Sequence, residues 1–309
     1  MHNHSHAPSA KALRYSLLAT FAYVLVTLFA GLRAHSLALL SESGHNVTDL
    51  LALLLSWVAV FIQTRPRSAT KTYGYHRAGV LAAFVNALTL VVIAFYIFYE
   101  AVQRLNHPVA VQPKIMIWVA VAGVVMNGTI SWVLFRAADD VNIRSAFIHQ
   151  LGDTLSTAAV IVGGLAILFT GSHWVDPALS IGIACLILWS SLGIIRETLN
   201  ILLEGTPSGM SVERIISSLR VIAGVNDVHD VHVWSLGSDS HALSCHVRID
   251  DMPLSESEAI LRQVTEVLAR DFHIHHTTLQ FESALCTIPH SCVIPIGVTA
   301  DRERAGSAD

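Results

Sequence analysis

Two stretches of the sequence each place a histidine and an aspartate four residues apart inside an apolar run. In "SESGHNVTDLLALLLSW" the pair is His45 and Asp49, and in "FIHQLGDTLSTAAVIVG" it is His149 and Asp153. Side chains four residues apart lie on the same face of an α-helix. If the two helices touch, two imidazole nitrogens and two carboxylate oxygens meet at one point, which is a tetrahedral ligand set suited to Zn²⁺. The spacing therefore predicts a metal site inside the apolar part of the chain.

Ionisable side chains at such positions are costly. An aspartate at the centre of a membrane helix costs ~2.5–3.5 kcal/mol on insertion scales. Helix packing alone does not explain four such groups at matched spacing. Two lone amides in other apolar runs, Asn86 and Asn127, are predicted instead to form interhelical hydrogen bonds. Glu100, near the end of its run, is predicted to lie at the membrane interface.

The composition is that of a membrane protein. Of the 309 residues, 53% are apolar and 14% are charged, and the mean hydropathy is +0.55. A soluble protein has about a quarter charged residues. The N-terminus MHNHSHAPSA is polar, and we expect no cleavable signal peptide. The sequence has no basic stripe, which excludes nucleic acid as a partner.

Six apolar runs are long enough to span a bilayer, for which a helix needs about 20 residues. We expect an α-helical membrane protein with six transmembrane helices, both termini on one side and membrane lipid around the helices. The runs cover residues 14–34, 36–62, 78–104, 114–137, 143–170 and 175–203.

The lysine and arginine residues beside these runs are unevenly distributed. On the side away from the termini lie Arg33, Arg104 and Lys114. On the side of the termini lie Lys11, Arg14, Arg65, Arg67, Lys71, Arg77, Arg136, Arg144 and Arg196. Because basic residues concentrate in cytoplasmic loops, both termini are predicted to be cytoplasmic.

After "EGTPSGM" the composition becomes that of a soluble domain. A helix is predicted over residues 211–222, followed by strands "VNDVHDVHVWSL" and "HALSCHVRID", a helix beginning near Ser255 and a last strand "HHTTLQFES". The order αββαβ predicts a small α+β sandwich with helices on one face of a sheet. The predicted parts are an N-terminal tail at 1–13, a membrane domain at 14–205, a cytoplasmic domain at 206–285 and a tail at 286–309.

The cytoplasmic domain contains a second candidate metal site. His229 and His246 flank the "GSDS" turn. A two-residue loop would place them directly opposite each other, and a four-residue loop one diagonal step apart, so either loop allows a shared metal. Glu282 on the last strand is a candidate third ligand. His232, three residues from His229, is predicted to face the other side of the sheet. The alternative is a solvent-exposed strand face with ordinary histidines.

The C-terminal tail contains "CTIPHSC", with Cys286, His290 and Cys292. In a reducing cytosol such a cluster favours metal binding over a disulfide. An unstructured tail and a chance histidine-rich start are the alternatives. The histidines that could complete a site from the other terminus are His2, His4 and His6.

The chain resembles the cation diffusion facilitator family, in particular its bacterial zinc-exporting, ZitB-like branch, from about residue 14 to 292. The motifs are "SLALLSESGHNVTD", "KTYGYHRAGVLAAFVNA", "HQLGDTLST", "DPALS" and "VHDVHVWSL". The resemblance implies six transmembrane helices, a ferredoxin-like cytoplasmic domain, a homodimer and Zn²⁺ export across the bacterial inner membrane against inward protons. The family's transport site maps onto the two His–Asp pairs, and its cytoplasmic zinc site maps onto His229, His246 and Glu282.

The resemblance leaves two interpretations of His76, which lies between the second and third runs. Some relatives have an interface metal site in this loop, and a residue at the start of a helix is the other interpretation. Within the family, two histidines and two aspartates are associated with zinc preference. Replacement of a histidine by aspartate broadens the range, so an exporter of Cd²⁺, Co²⁺ or Ni²⁺ is an alternative.

The predicted donor set favours exchange of metal for protons. Histidine must be neutral and carboxylates ionised to bind metal, so binding releases protons. No phosphate-binding G-x-x-x-x-G-K-[ST] loop is present. Three alternatives are an intramembrane metalloenzyme, a membrane-anchored metal sensor and a channel. Four ligands leave no open catalytic position and H-E-x-x-H is absent, so we expect no enzyme. Zn²⁺ is expected both as cargo and as a structural or regulatory ligand of the cytoplasmic domain.

Overall fold

The computed structural model describes residues 10–135, 141–237 and 240–283. Within them, five helices are long and apolar enough to cross a membrane, and a shorter apolar stretch, Thr20–Ala34, belongs to the first helix. The long helices agree with the six predicted runs to within a few residues at each end. They are α1 (Ala10–Ala34), α2 (Leu37–Gln63), α3 (Ala78–Asn106), α4 (Pro113–Phe135), α5 (Val141–Thr170) and α6 (Val175–Leu202).

The ends of these helices follow from local residue types. Pro113 is the first residue of α4, a position where its missing N–H costs nothing and its φ already suits a helix. Gly171 follows the last residue of α5 with φ 66°, the left-handed conformation in which glycine commonly ends a helix. The turn between α1 and α2 contains His35 at φ 52°.

The chain divides into two compact units. The first contains the residues up to Pro66 and Leu81–Thr198. Many of its fully buried residues are small, which lets helix backbones approach closely; they include Ala34, Ala38, Ala94, Ala101 and Ala184. Large apolar side chains cover its outside, among them Trp118, Phe169 and Trp189. An apolar exterior around helices of this length is typical of a membrane domain, so the chain is a multi-pass membrane protein.

The first turn of α2 is held by a carboxylate from α6. Asp176 is fully buried and accepts hydrogen bonds from Ser36 Oγ at 2.5 Å, Leu37 N at 2.7 Å and Ala38 N at 3.2 Å. Backbone N–H groups at a helix start have no partner inside the helix, and an anion there is stabilising. Arg104 Nη1 lies 3.9 Å from the same carboxylate. This network anchors the helix that carries the first His–Asp pair.

The second unit contains Arg67–Val80 and the chain from Leu199 onward. Its elements confirm the predicted αββαβ order: α7 (Val212–Arg220), β1 (Val225–Ser235), β2 (His241–Ile249), α8 (Leu254–Phe272) and β3 (Ile274–Glu282). Strand β2 is central, antiparallel to β1 and parallel to β3. The two helices and one sheet face form the core, which includes Leu219, Leu243, Val247, Val264 and Leu268. The other sheet face carries the predicted metal ligands.

The loop between α2 and α3 packs within this second unit. Arg77 donates to the Glu204 carboxylate and to the Ser235 carbonyl, each at 3.2 Å. The Tyr73 ring meets the His276 ring edge-on, with centroids 5.3 Å apart. The loop is therefore part of the same compact body as the small sheet.

Candidate metal centres

The structure brings three of the four membrane ligand candidates together. His45 and Asp49 lie on α2, and Asp153 lies on α5. His45 Nε2 is 3.0 Å from Asp153 Oδ1 and 3.6 Å from Asp49 Oδ2. One ligand atom from each residue lies within 4.8 Å of those of the other two, so the three can reach one metal ion. The spacing of four residues predicted from the sequence places Asp49 beside His45, and the approach of α5 to α2 brings Asp153 to the same imidazole nitrogen.

The fourth candidate, His149, belongs to α5 one turn before Asp153. Its side chain lies outside the described residues. The helical backbone puts both residues on one face of α5, because positions four apart are stacked along a helix. Its participation in the site stays a prediction.

Sequence reasoning missed Glu42. This residue is 4% exposed and lies one turn before His45 on α2. Thr157, one turn after Asp153 on α5, donates its hydroxyl to the Glu42 carboxylate. The available signal was the spacing of an acidic residue three positions before a candidate ligand, since such residues share a helix face. The hydrogen bond joins the two ligand-bearing helices directly beside the candidate site.

The sequence predicted interhelical hydrogen bonds for two asparagines, Asn86 and Asn127. Asn127 is buried and its Nδ2 finds no hydrogen-bond partner within the described residues. The same is true of Asn86 Oδ1 there. For these two atoms the predicted interhelical hydrogen bonds are not formed. Glu100 accepts a hydrogen bond from Arg104 Nε at 3.1 Å near the end of α3.

A second cluster lies on the open face of the small sheet. His229 on β1 pairs directly with His246 on β2. Glu282 on β3 is opposite Arg248, two residues along β2 from His246. His246 Nδ1 lies 2.9 Å from Glu282 Oε1, and His229 Nε2 lies 3.3 Å from Glu282 Oε2. One ligand atom from each of the three residues lies within 4.8 Å of the others.

The pairing of the two histidines arises from a bulge, which was not expected. The hairpin pairs Ser235 with His241, a register that neither a two-residue nor a four-residue loop produces. A register shift between His229 and His232 brings His229 opposite His246. His232 then pairs with Ser244, which is on the face of His246. The prediction that His232 faces the other side was wrong, because the extra residue of a bulge reverses strand alternation.

The cytoplasmic cluster fits a cation. The atoms His246 Nδ1 and Glu282 Oε2 are buried and form no hydrogen bond within the described residues. Buried polar atoms are normally satisfied. Two imidazoles and a carboxylate are ordinary ligands of Zn²⁺, and a shared cation would satisfy these atoms together.

One aspartate beside this cluster is held in its charged form. Arg220 Nη2 donates to Asp227 Oδ1 at 2.5 Å. Partial burial opposes the charged form, but hydrogen bonds from Arg220 and the Val228 backbone, together with the Arg220 charge, hold the pKa of the Asp227 carboxyl below its usual range. Asp227 is thus an anion next to His229.

Of the remaining candidates, the structure describes His76 alone. His76 lies in the loop between α2 and α3 and belongs to neither cluster of three ligands in the described part of the chain. The other candidates lie outside the described residues: His2, His4, His6, Cys286, His290 and Cys292.

Comparison with known proteins decides the family. Residues 13–203 match the cation efflux transmembrane domain, and residues 207–284 match the cytoplasmic domain of cation efflux proteins. The chain belongs to the cation efflux family. This confirms the resemblance found in the sequence motifs, and with it a transmembrane helical domain followed by a ferredoxin-like cytoplasmic domain. The family is one of metal transporters rather than enzymes.

Three relatives in this family are similar over nearly their whole length. Zinc transporter ZitB of Pectobacterium atrosepticum is 38% identical, covering 94% of this chain and 91% of that protein. Zinc transporter ZitB of Escherichia coli strain K12 is 36% identical, covering 96% and 97% respectively. A cadmium, cobalt and zinc/H(+)-K(+) antiporter of Bacillus subtilis strain 168 is 35% identical, covering 91% and 92%.

Proposed function

We propose that this cation efflux protein exports divalent metal ions, Zn²⁺ foremost, from the cytoplasm in exchange for protons. The observation that carries the proposal is the 3.0 Å approach of His45 Nε2 on α2 to Asp153 Oδ1 on α5. A histidine and a carboxylate from different helices share this point inside a membrane domain. Relatives named as zinc transporters and as a cadmium, cobalt and zinc antiporter support the class of cargo.

The proposed transport site consists of His45, Asp49, Asp153 and the predicted fourth ligand His149. The 3.0 Å separation of His45 Nε2 and Asp153 Oδ1 has the length of a hydrogen bond, which needs a proton between nitrogen and oxygen. A divalent cation needs the same lone pairs and therefore displaces that proton. Cation and protons compete for one set of donors, which is the chemical basis of antiport.

Exchange across the membrane requires the site to open to each side in turn. The donors come from two helices joined by side-chain packing and by the Thr157–Glu42 hydrogen bond, so relative movement of α2 and α5 can change access. We place both termini in the cytoplasm and the protein in the bacterial inner membrane, because basic residues concentrate beside the termini. Net export then means loading from the cytoplasm and release outside.

The cytoplasmic domain is proposed to bind Zn²⁺ separately through His229, His246 and Glu282. The match to the family's cytoplasmic domain supports a homodimer assembled through this part of the chain. We place the boundary between the two domains near residue 205. The cation held here is a structural or regulatory ligand rather than cargo, since its site is on a sheet outside the membrane helices.

The test uses purified protein in vesicles that contain a zinc-sensitive dye. With a pH gradient imposed, the wild-type chain is expected to accumulate Zn²⁺ against its own gradient. Asp49→Ala and Asp153→Ala are each expected to reduce flux to the level of empty vesicles while the chain stays folded by circular dichroism and size-exclusion chromatography. Asp251→Asn, an exposed change in the cytoplasmic domain, is the matched control.

Specific outcomes distinguish the alternatives. Unaltered flux in either aspartate variant contradicts the assigned site. Zn²⁺ movement that only follows its own gradient identifies a channel. Equal or greater flux of Cd²⁺, Co²⁺ or Ni²⁺ in the same vesicles identifies a broader exporter.

A further inference from the structure

In the cytoplasmic cluster, His229 lies between two carboxylates and turns a different nitrogen to each. Its Nε2 lies 3.3 Å from Glu282 Oε2, and its Nδ1 lies 3.5 Å from Asp227 Oδ2. The aspartate is held in turn by Arg220, whose guanidinium donates to it at 2.5 Å. The ring is thus flanked on one side by a candidate ligand and on the other by an anchored anion.

His246 repeats this arrangement with its nitrogens exchanged. Its Nδ1 lies 2.9 Å from Glu282 Oε1, and its Nε2 lies 3.7 Å from Asp230 Oδ2. Asp230 is also held from behind, because His232 Nε2 lies 3.1 Å from its Oδ1. Both histidines therefore direct one nitrogen to the shared Glu282 and the other to a separate aspartate.

We propose that Asp227 and Asp230 are positioning residues for the cytoplasmic cation. When the cation binds His229 Nε2 and His246 Nδ1, the ring hydrogen lies on the far nitrogen of each histidine, and each aspartate is placed to accept it. The far nitrogens lie 3.5 Å and 3.7 Å from these carboxylates, which is longer than a formed N–H···O hydrogen bond, so a small approach on cation binding completes each contact. The inference rests on the cytoplasmic Zn²⁺ site proposed above. A histidine that binds metal commonly donates its other N–H to a carboxylate, which sets its tautomer and ring orientation.

The bulge in β1 gives Asp230 this role. In a regular strand, the residue after His229 would face the hydrophobic core, because successive side chains alternate. The register shift between His229 and His232 breaks that alternation, and Asp230 adopts φ 49°. Aspartate is among the few residues that tolerate this left-handed conformation. The irregularity brings a carboxylate to the open face beside His246.

A second cation between Asp230 and His232 is the competing interpretation. Within the described residues, Asp230 forms ion pairs with His232 Nε2 and His246 Nε2. His246 already directs its other nitrogen at Glu282. A second cation would require this imidazole to bridge two metals, whereas the positioning role needs only one N–H. One cation per chain is therefore expected in this cluster.

The experiment uses the full-length chain in detergent with Asp49→Ala and Asp153→Ala, which removes the proposed transport site. Equilibrium dialysis with Zn²⁺ is expected to give one bound equivalent, and adding His246→Ala is expected to remove it. This arm tests the cytoplasmic site itself. Absence of binding before the His246 change overturns both that site and the positioning role.

A second arm tests positioning in the same background. Asp230→Gly removes the carboxylate and suits the φ of 49°, because glycine adopts positive φ without strain. Asp227→Ala removes the other carboxylate. Arg220→Ala removes the ion pair of Asp227 but leaves the Asp227 carboxylate in place. Each aspartate variant is expected to bind Zn²⁺ about 10–100-fold more weakly, and Arg220→Ala by less. The matched control is Asp251→Asn, which is expected to bind like the background.

The decisive readout is ¹⁵N NMR of the histidine rings in the Zn²⁺-loaded chain. The nitrogens away from the cation, His229 Nδ1 and His246 Nε2, are expected to carry the hydrogen. Asp227→Ala is expected to shift the His229 Nδ1 resonance alone, and Asp230→Gly the His246 Nε2 resonance alone, with unchanged circular dichroism. Unshifted resonances or unchanged affinity in both variants overturn the proposal. Two Zn²⁺ equivalents in the background, one of them lost in Asp230→Gly, establish the second-cation interpretation instead.

Discussion

The membrane cluster and the cytoplasmic cluster use the same donor types on different scaffolds. In the membrane, the donors come from α2 and α5, which meet through side chains. In the cytoplasmic domain they come from three neighbouring strands, whose register is set by backbone hydrogen bonds. Packed helices can shift relative to each other without breaking backbone hydrogen bonds, whereas paired strands cannot. The first scaffold suits a site that must open and the second suits a site that holds its ion.

The histidines of the two clusters are also held differently. His45 turns one nitrogen, Nε2, toward both Asp49 and Asp153. His229 and His246 each divide their two nitrogens between Glu282 and a separate aspartate. A nitrogen that faces two carboxylates must release its proton before it can bind the cation. A ring held through its far N–H keeps the near nitrogen available, which favours retention.

The largest expected effect separates transport from retention. Asp153→Ala is expected to abolish proton-driven Zn²⁺ flux in vesicles. Glu282→Ala is expected to release the Zn²⁺ bound by the cytoplasmic domain while leaving measurable flux, because this carboxylate is not on the membrane helices. Flux and bound Zn²⁺ are measured on the same preparations. Complete loss of flux in Glu282→Ala would show that the cytoplasmic ion is required for transport and would remove the distinction between the clusters.

The sequence predicted the long helices because their apolar runs match the bilayer thickness. It also predicted the His45–Asp49 pair as one helix face, since a spacing of four needs no tertiary information. The order of elements in the cytoplasmic domain followed from alternation and turn residues. These are local patterns, and the structure confirms the helices and the element order that they indicate.

Features that depend on long-range partners were not predictable in the same way. The hydrogen-bond partner of Glu42 is Thr157, which is 115 residues away in the sequence, so the local pattern around Glu42 does not indicate it. The face of His232 was predicted wrongly because the bulge depends on one left-handed residue, Asp230. Strand alternation carries no mark of such a bulge, although aspartate is one of the residues that permits it.

An intermediate effect is expected when the hydrogen bond that joins α2 to α5 is removed. Thr157→Val removes the hydroxyl that donates to Glu42 and leaves a buried carboxylate without this donor. Loss of a buried hydrogen-bond partner costs about 1–3 kcal/mol, which should lower thermal stability and weaken Zn²⁺ binding at the membrane site. Thr157→Ser keeps the hydroxyl and is the matched control.

Zn²⁺ affinity of the cytoplasmic site is the internal reference for this pair of variants, because Thr157 lies in the membrane unit. Equal stability and equal membrane-site affinity for the valine and serine variants would contradict a role of this bond in joining α2 to α5. Equal loss of Zn²⁺ affinity at both sites would indicate general misfolding rather than a local effect.

The smallest expected effect concerns the anchor of the cytoplasmic cluster. Arg220→Ala removes the partner that, against the effect of partial burial, holds the pKa of Asp227 below its ordinary value of 3.8. A lowered pKa contributes stability that is present above the ordinary value and is lost as the pH falls through the lowered one. Because Arg220 is 54% exposed, solvent screening limits the loss at neutral pH to about 0.2–1 kcal/mol.

The measurement is thermal unfolding of wild-type and Arg220→Ala chains from neutral to strongly acidic pH. The stability difference should shrink as Asp227 becomes protonated, since an uncharged carboxyl no longer attracts the guanidinium. A difference that persists in strong acid would mean that Arg220 acts through packing of α7 rather than through charge. The anchor of His229 would then not depend on an ionised Asp227, and the two clusters would differ only in their scaffolds.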